Sequence, residues 1–431
     1  MSIGDSRPEG GFEGVEALSR RGARFFFGGP GAEFLSGADW LAISPGVPPD
    51  APAAAAARSR GLPVLAEIEI AWRIAEAEWP GQNRWIAVTG TNGKSTTTTW
   101  IAEALERSGR PVALAGNIGA PLSGFLSGSG GRDFVCEVSS FQLEAIDRFR
   151  PDVAVLTNIT PDHLDRYAGF GEYAAAKARL FARQRPEDVA ILNADDAASI
   201  RVPTRARRVL FSRRGRPAGK GVWLEGGGIL SDAAGDRHAV VPAARLALPG
   251  AHNLENSLAV IAAAESLGVP AETIADALTR FQGLPHRTEL VVESVGVRFV
   301  DDSKGTNVDA AAKSLEGFND GSVLLILGGR DKHGDFASLR ELAARKARVV
   351  LTIGEAAETI EAALAGAATL ERSGTMEKAV ARAAALARPG DTVLLSPACA
   401  SFDQYGNFEE RGRHFADLSR AAARARESHG S

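Results

Sequence analysis

The stretch Trp85-Ile86-Ala87-Val88-Thr89-Gly90-Thr91-Asn92-Gly93-Lys94-Ser95-Thr96-Thr97-Thr98-Thr99 decides the fold. Residues 85–89 read as a short, largely apolar strand, and a glycine-rich turn follows. A helix is expected over 95–108, stopped by Gly109. Strand, glycine turn and helix together make the geometry of a phosphate site. Glycines let the backbone curl so that successive N–H groups face an anion. The helix N-terminus adds partial positive charge. Lys94 is placed to reach terminal phosphates, and the Ser95 hydroxyl suits Mg²⁺. Full P-loop spacing would put a glycine five residues before Gly93, where Val88 stands, so the loop is a shortened variant. The bland alternative is a plain β–α turn.

Working outward, the alternation recurs. Buried strands are expected at 134–138, 153–158 and 189–193 with helical segments between them, which argues for a mostly parallel sheet. Residues 201–245 are rich in Arg and Gly, with short alternating runs at 209–211 and 222–224, and read as a peripheral antiparallel patch. Helices resume at 253–267 and 271–281. Pro80-Gly81 breaks a helix over 66–78, and Gly283-Leu284-Pro285 makes a second break. These breaks divide the chain into 1–80, 81–283 and 284–431. Before the first break, short strands are expected at 23–27 and 40–44. After the second, strands are expected at 297–300, 323–327, 349–353 and 392–395, and helices at 308–318, 336–346, 357–364, 376–387 and 408–426. The predicted class is α/β in three domains, a number that 431 residues fit at ~150 each.

Composition narrows the function. A net charge of −4 argues against a nucleic-acid or lipid surface as the main business. No stretch approaches the ~20 apolar residues of a membrane span, and the first residues carry no secretory pattern. Two cysteines, Cys136 and Cys399, make no disulfide framework, so a cytosolic protein is expected. Cys399 has no adjacent base and reads as a packing residue.

Chemistry-bearing residues fall at the expected strand ends, where open α/β sheets bind ligands. Glu137 has apolar neighbours on both sides, so its charge needs a partner. It reads as a metal ligand or as a carboxylate capping the next helix. His163, in Asn158-Ile159-Thr160-Pro161-Asp162-His163, sits at another strand end. Lys177 by itself would pass for an exposed helix lysine. His252-Asn253-x-x-Asn256 places two amides on one helix face, although Asn253 would serve equally as a helix cap. The last segment carries His286-Arg287, then Asp301-Asp302-Ser303-Lys304-Gly305-Thr306-Asn307, Gly328-Gly329-Arg330-Asp331-Lys332, and Ser396-Pro397-Ala398-Cys399-Ala400-Ser401-Phe402-Asp403-Gln404.

In their order along the chain, these motifs resemble the Mur ligase superfamily, which includes the folylpolyglutamate synthetases. The resemblance implies a Rossmann-like N-terminal domain, a central P-loop ATPase domain and a Rossmann-like C-terminal domain. It implies activation of a carboxylate as an acyl phosphate and attack by an amine, with ATP and Mg²⁺. Carried over residue by residue, Gly90, Thr91, Asn92, Gly93, Lys94, Ser95 and Thr96 would hold ATP phosphates. Asn253 and Asn256 would face adenine, Arg287 would bridge to phosphate, and Asp302 would orient the ribose or the nucleotide. Ser95, Glu137, His163 and a carbamylated Lys177 would hold Mg²⁺. Lys94, Lys177, His163 and Lys304 would be the catalytic set.

Ser44, Thr306, Lys332, Ser401 and Phe408 would contact substrate, and Asn117 substrate or ATP phosphate. The Ser-Lys-x-Thr-Asn run resembles the glutamate-adding branch. That branch implies UDP-N-acetylmuramoyl-L-alanine and D-glutamate as substrates, in a cytoplasmic monomer that binds neither nucleic acid nor membrane. Another Mur ligase, a folylpolyglutamate synthetase or a non-catalytic relative are the alternatives. Four of the eight lysines fall on these site positions.

Family members open with a strand and a Gly-rich turn that hold the UDP moiety. No such turn follows an opening strand here, and the cluster Gly28-Gly29-Pro30-Gly31 comes late and contains a proline. The expectation is a truncated N-terminal domain lacking its first β–α unit, through a late assigned start or a different mode of nucleotide-sugar binding.

Overall fold

The apolar runs become strands of two large sheets in the computed structural model, which describes residues 1–6, 14–29, 31–248 and 250–429. Pro30 of the glycine cluster lies outside the described residues. The chain opens with β1 (Ser2–Gly4), α1 (Val15–Arg20) and β2 (Arg24–Phe26), with β1 parallel to β2. A second parallel pair joins β3 (Leu41–Ile43) to β4 (Val64–Ala66) across α2 (Pro52–Ser59), and α3 (Glu67–Glu78) leads out. The expectation that this domain lacks its first β–α unit therefore needs correction: β1 and α1 form one, and it was not foreseen because a three-residue strand and a six-residue helix leave almost no pattern.

The central domain runs β5 (Arg84–Thr89), α4 (Lys94–Arg107), β6 (Val112–Gly116), β7 (Asp133–Glu137), α5 (Ser140–Leu143), β8 (Val153–Leu156), α6 (Phe170–Ala178) and β9 (Val189–Asn193). It continues through β10 (Arg207–Ser212), β11 (Gly221–Glu225), β12 (Gly228–Ser231) and β13 (His238–Pro242) to α7 (Ala251–Ser266) and α8 (Ala271–Arg280). These form a nine-stranded sheet ordered β13-β12-β11-β10-β9-β8-β5-β7-β6. The antiparallel patch expected over 201–245 needs correction. β10 and β11 extend the parallel sheet; the antiparallel pairings are β11–β12 and β12–β13, so only β12 runs against it. A period of two reports one buried face and says nothing of strand direction.

Both faces of β5 are sealed by aromatic stacking, which fixes the loop that leaves it. Trp85 stacks on Phe134 at 4.4 Å on one side. On the other, α4 presents Trp100, fully buried, which stacks on Phe281 at 4.8 Å and donates from its indole N–H to the Ala277 carbonyl. Offset aromatic pairs of this kind add ~0.5–1.5 kcal/mol beyond their burial.

The third domain comprises β14 (Glu289–Ser294), β15 (Val297–Asp301), α9 (Val308–Glu316), β16 (Val323–Gly328), α10 (Arg340–Lys346), β17 (Ala347–Ile353), α11 (Ala357–Leu364), β18 (Leu370–Gly374), α12 (Met376–Leu386), β19 (Thr392–Leu395) and α13 (Phe408–His429). Its sheet is ordered β14-β15-β19-β16-β17-β18, parallel except for the β14–β15 hairpin. The single helix expected over 336–346 is split into a 3₁₀ turn, Phe336–Leu339, and α10. Loops from the carboxyl ends of β5, β7 and β8 meet loops that follow β15 and β16, and the candidate site lies between them.

Candidate functional site

Two glycines of the 90–96 loop are required by their surroundings. A Cβ on Gly90, at φ +148°, would fall 1.9 Å from Thr157 Oγ1, and one on Gly93, at φ +81°, would fall 2.2 Å from Asn256 Oδ1. The end of β8 buttresses the loop. Thr91 N–H donates to the Asn158 carbonyl (2.8 Å), Asn92 N–H to Asn158 Oδ1 (2.9 Å), and Thr157 Oγ1 to the Asn92 carbonyl (2.6 Å). Lys94 folds back over the loop, its ammonium donating to the carbonyls of Gly90 (3.0 Å) and Thr91 (2.7 Å). Burial lowers its pKa, with Glu137 and Asp162 opposing the shift.

Behind the loop stands Glu137, only 1% exposed. Asn117 donates to its Oε1 (2.7 Å), while Oε2 is buried with no hydrogen-bond partner among the described residues. Burial pushes this carboxyl up, but Lys94, Asn117, Ser95 and Arg287 together hold it below the usual range. An ionised carboxylate with one bare oxygen in such a place needs a cation. The helix-capping alternative for Glu137 fails, because Ser139 caps α5 in a reciprocal box with Gln142.

Lys177 is not the exposed helix lysine that its sequence alone would suggest. It is 1% exposed, lies 4.5 Å from the centre of the Tyr173 ring and donates to the Gly90 carbonyl at 2.6 Å. Burial drives its pKa far down, and Lys94 adds to the push. His163 adopts φ +54° and packs against the Phe141 ring at 4.7 Å. Burial lowers its pKa to about 4 against the pull of Asp162, so the imidazole is neutral at pH 7 and has a lone pair to offer.

The facing wall comes from the third domain. Arg287 crosses the cleft and donates to Ser95 Oγ at 2.7 Å. Lys304 lies 3.7 Å from the centre of the Phe408 ring, and burial lowers its pKa to about 8. Asp302 accepts from Ser396 Oγ (2.7 Å) and Thr288 N–H (3.2 Å), and burial raises it to about 6. Between the walls lies a cavity bounded by Gly93, Thr96, Asn253, Asn256, Arg287 and Asp302. Asn256 contacts Asn253 Oδ1 at 3.5 Å, so the two amides do share a face, and Gly250, not Asn253, precedes the helix as its cap.

The remaining sequence-derived candidates are more scattered. The Thr306 N–H donates to the Lys304 carbonyl (2.8 Å), and Ser401 is buried, its carbonyl accepting from Tyr405 N–H (2.9 Å). Ser44 lies apart, in a hollow between the first two domains with Arg58, Phe141 and Arg166. Lys332 is bound to Asp162 Oδ1 at 2.8 Å across the domain boundary. Asn307 donates to the other oxygen of Asp162 at 2.9 Å. Burial pushes the Asp162 carboxyl up, but Lys332, His163 and Asn307 more than offset this and leave it at about 2.

Sequence reasoning quoted Asp162 and Asn307 without giving either side chain a role, and it passed over Asp309 and Arg411. Arg411 is 1% exposed and donates to the Ser303 carbonyl (2.8 Å) and the Cys399 carbonyl (3.1 Å), tying together two of the site loops. Nothing in its Glu-Glu-Arg-Gly surroundings distinguishes it from a surface arginine. Cys399 is buried, as expected, and its thiol is pushed up to about 12 by burial.

Comparison with known proteins agrees with this geometry. The chain matches the Mur ligase middle domain over residues 88–264 and the Mur ligase glutamate ligase domain over 286–399. It is 45% identical over 410 residues to the UDP-N-acetylmuramoylalanine--D-glutamate ligase of Acidobacterium capsulatum, covering 94% of this chain and 87% of that protein. Identity is also 45% over 409 residues to the protein of the same name from Pelotomaculum thermopropionicum, covering 94% of this chain and 88% of that one. Among solved structures, the MurF ligase of Thermotoga maritima in complex with ADP superimposes with a TM-score of 0.63 at 18% identity, covering 86% of this chain and 91% of that one. The UDP-N-acetylmuramate-alanine ligase MurC of the same organism gives 0.58 at 19% identity, covering 98% and 93%. The chain belongs to the Mur ligase family.

Proposed function

We propose that this chain is an ATP-dependent ligase that adds D-glutamate to UDP-N-acetylmuramoyl-L-alanine through an acyl phosphate, in cytoplasmic peptidoglycan precursor synthesis. The names of relatives at 45% identity support the choice of substrates. The observation that carries the reading is the Arg287–Ser95 contact of 2.7 Å, which brings Lys94 and Glu137 of one domain against Arg287 and Lys304 of the next. Phosphoryl transfer spreads charge over several oxygens, so positioning and electrostatics do most of the work.

The division of labour follows 1–80 for the UDP substrate, 81–283 for ATP and 284–431 for glutamate, within a monomer. The loop N–H groups and Lys94 hold the terminal phosphates, while Asn253 and Asn256 face the base. Arg287 brings a permanent, planar charge to the phosphates from the opposite domain. The bare Glu137 oxygen and the neutral His163 suit a hard cation. Ser95, Glu137, His163 and a carbamylated Lys177 would hold Mg²⁺, which when bound supplies charge against the phosphate oxygens. An uncharged buried amine is the form of lysine able to take up CO₂, and burial shifts Lys177 toward that form. Thr306, Ser401, the backbone at Phe408 and Lys332 receive glutamate, with Lys332 exchanging Asp162 for the substrate carboxylate. Lys94→Ala should abolish D-glutamate-dependent ADP release, and full activity in that variant would refute the assignment.

A further inference from the structure

Asp309 sits in the first turn of α9 with its side chain 28% exposed, and a single oxygen, Oδ2, gathers three partners. Asn92 of the glycine loop donates from Nδ2 at 2.6 Å, Thr160 of the His163 loop from Oγ1 at 3.1 Å, and Lys313 from its ammonium at 3.0 Å. Lys313 also lines the cavity beside Gly93 and Asn256. Two of the three partners belong to the central domain, so the carboxylate spans the cleft. The helix does not need it as a cap, since Asn307 already accepts the Ala310 N–H at 2.8 Å. Asn307 runs alongside, meeting the Asn92 amide at 3.3 Å and Asp162 at 2.9 Å.

We propose that Asp309 is a positioning residue that registers the third domain against the phosphate loop, so that seating of the ATP phosphates and closure of the cleft become one event. The inference rests on the nucleotide reading above and adds a residue to it. Asn92 joins the two domains: its backbone is fixed by Asn158 of its own domain, while its side chain is held by Asp309 and Asn307 of the third. An open cleft would release that side chain from the third domain.

The test compares wild type with Asp309→Ala, Asp309→Asn, Asn92→Ala and the Asn92/Asp309 double alanine variant, by ATP KM and by melting temperature. A hydrogen bond to a charged acceptor is strong, so Asp309→Ala is expected to raise the ATP KM by about tenfold. Asp309→Asn, which keeps an acceptor oxygen, should raise it by about threefold. The double variant should exceed the worse single by less than about twofold, because the two residues share one interaction. An ATP KM within twofold of wild type for Asp309→Ala overturns the proposal, as does a multiplicative double variant or a lowered melting temperature with KM unchanged. If Asp309→Ala does not fold, an unchanged KM in Asp309→Asn overturns it. The same ratios measured as ATP dissociation constants separate this inference from the ligase reading. Wild type that binds ATP but adds no glutamate fails the latter, and the binding ratios still decide the role of Asp309.

Discussion

Gly93→Ala offers a matched test of the nucleotide site, because Gly93 and Gly109 flank the same helix at the same φ of +81°. For an L-residue that conformation costs ~1–2 kcal/mol. At Gly109 a Cβ would meet nothing within 4 Å, so only this backbone strain applies. At Gly93 the new Cβ would lie 2.2 Å from Asn256 Oδ1 and would push the amide away. That disturbs two hydrogen bonds of Asn256, with Thr97 Oγ1 at 3.4 Å and with Asn253 at 3.5 Å. Each is worth ~0.5–1.5 kcal/mol, so with the strain the sum is ~2–5 kcal/mol. Asn256 and the loop both face the cavity, so the effect is expressed in ATP binding. The strain is common to Gly109, so the share that reaches ATP is that of the two Asn256 bonds, ~1–3 kcal/mol, which raises the ATP KM by roughly 5- to 150-fold. The assay is D-glutamate-dependent ADP release, with thermal unfolding in parallel. Gly109→Ala should lower stability to a similar or smaller degree and leave the ATP KM unchanged. A Gly93→Ala enzyme whose ATP KM stays within threefold of wild type would refute the reasoning.

Two further outcomes are expected. Lys304, lowered by burial to about 8, is charged below that pH and neutral above it. If its charge draws anionic substrate, kcat/KM falls as pH rises through about 8, and Lys304→Arg removes that limb from the pH profile. Glu137→Gln keeps the shape and the Asn117 contact but removes the charge, so the Mg²⁺ concentration giving half-maximal rate should rise by about 10- to 100-fold, read by titrating the metal at saturating ATP. An unchanged Mg²⁺ titration would remove Glu137 from the metal site.

The sheets were legible where strands are buried on both faces. β5, β8, β9, β16 and β19 read directly as apolar runs, because a parallel sheet between helices leaves no polar face to blur them. Edge strands escaped. β14, Glu-Leu-Val-Val-Glu-Ser, and β18, Leu-Glu-Arg-Ser-Gly, are half-exposed and polar, so nothing separates them from loops. The glycine loop was legible because sterics demand its residue types. The interdomain partners were not. Asp309 in a helix's first turn and Arg411 in an acidic helix start each have an ordinary local explanation; only the packing of the third domain on the second gives Asp309 its partner Asn92, and only the fold of the third domain itself brings Arg411 to Cys399. Lys332 shows the complementary limit: its position in the site could be anticipated, but not its present bond to Asp162.

The central claim is that the third domain selects glutamate for an acyl group activated in the second. The most direct measurement is phosphate release with UDP-N-acetylmuramoyl-L-alanine and ATP across a panel of amino acids, with D- and L-glutamate compared side by side. The account predicts release with D-glutamate well above every other acceptor and none without the nucleotide sugar. Equal rates with L-glutamate, or faster release with a neutral or basic amino acid, would contradict it.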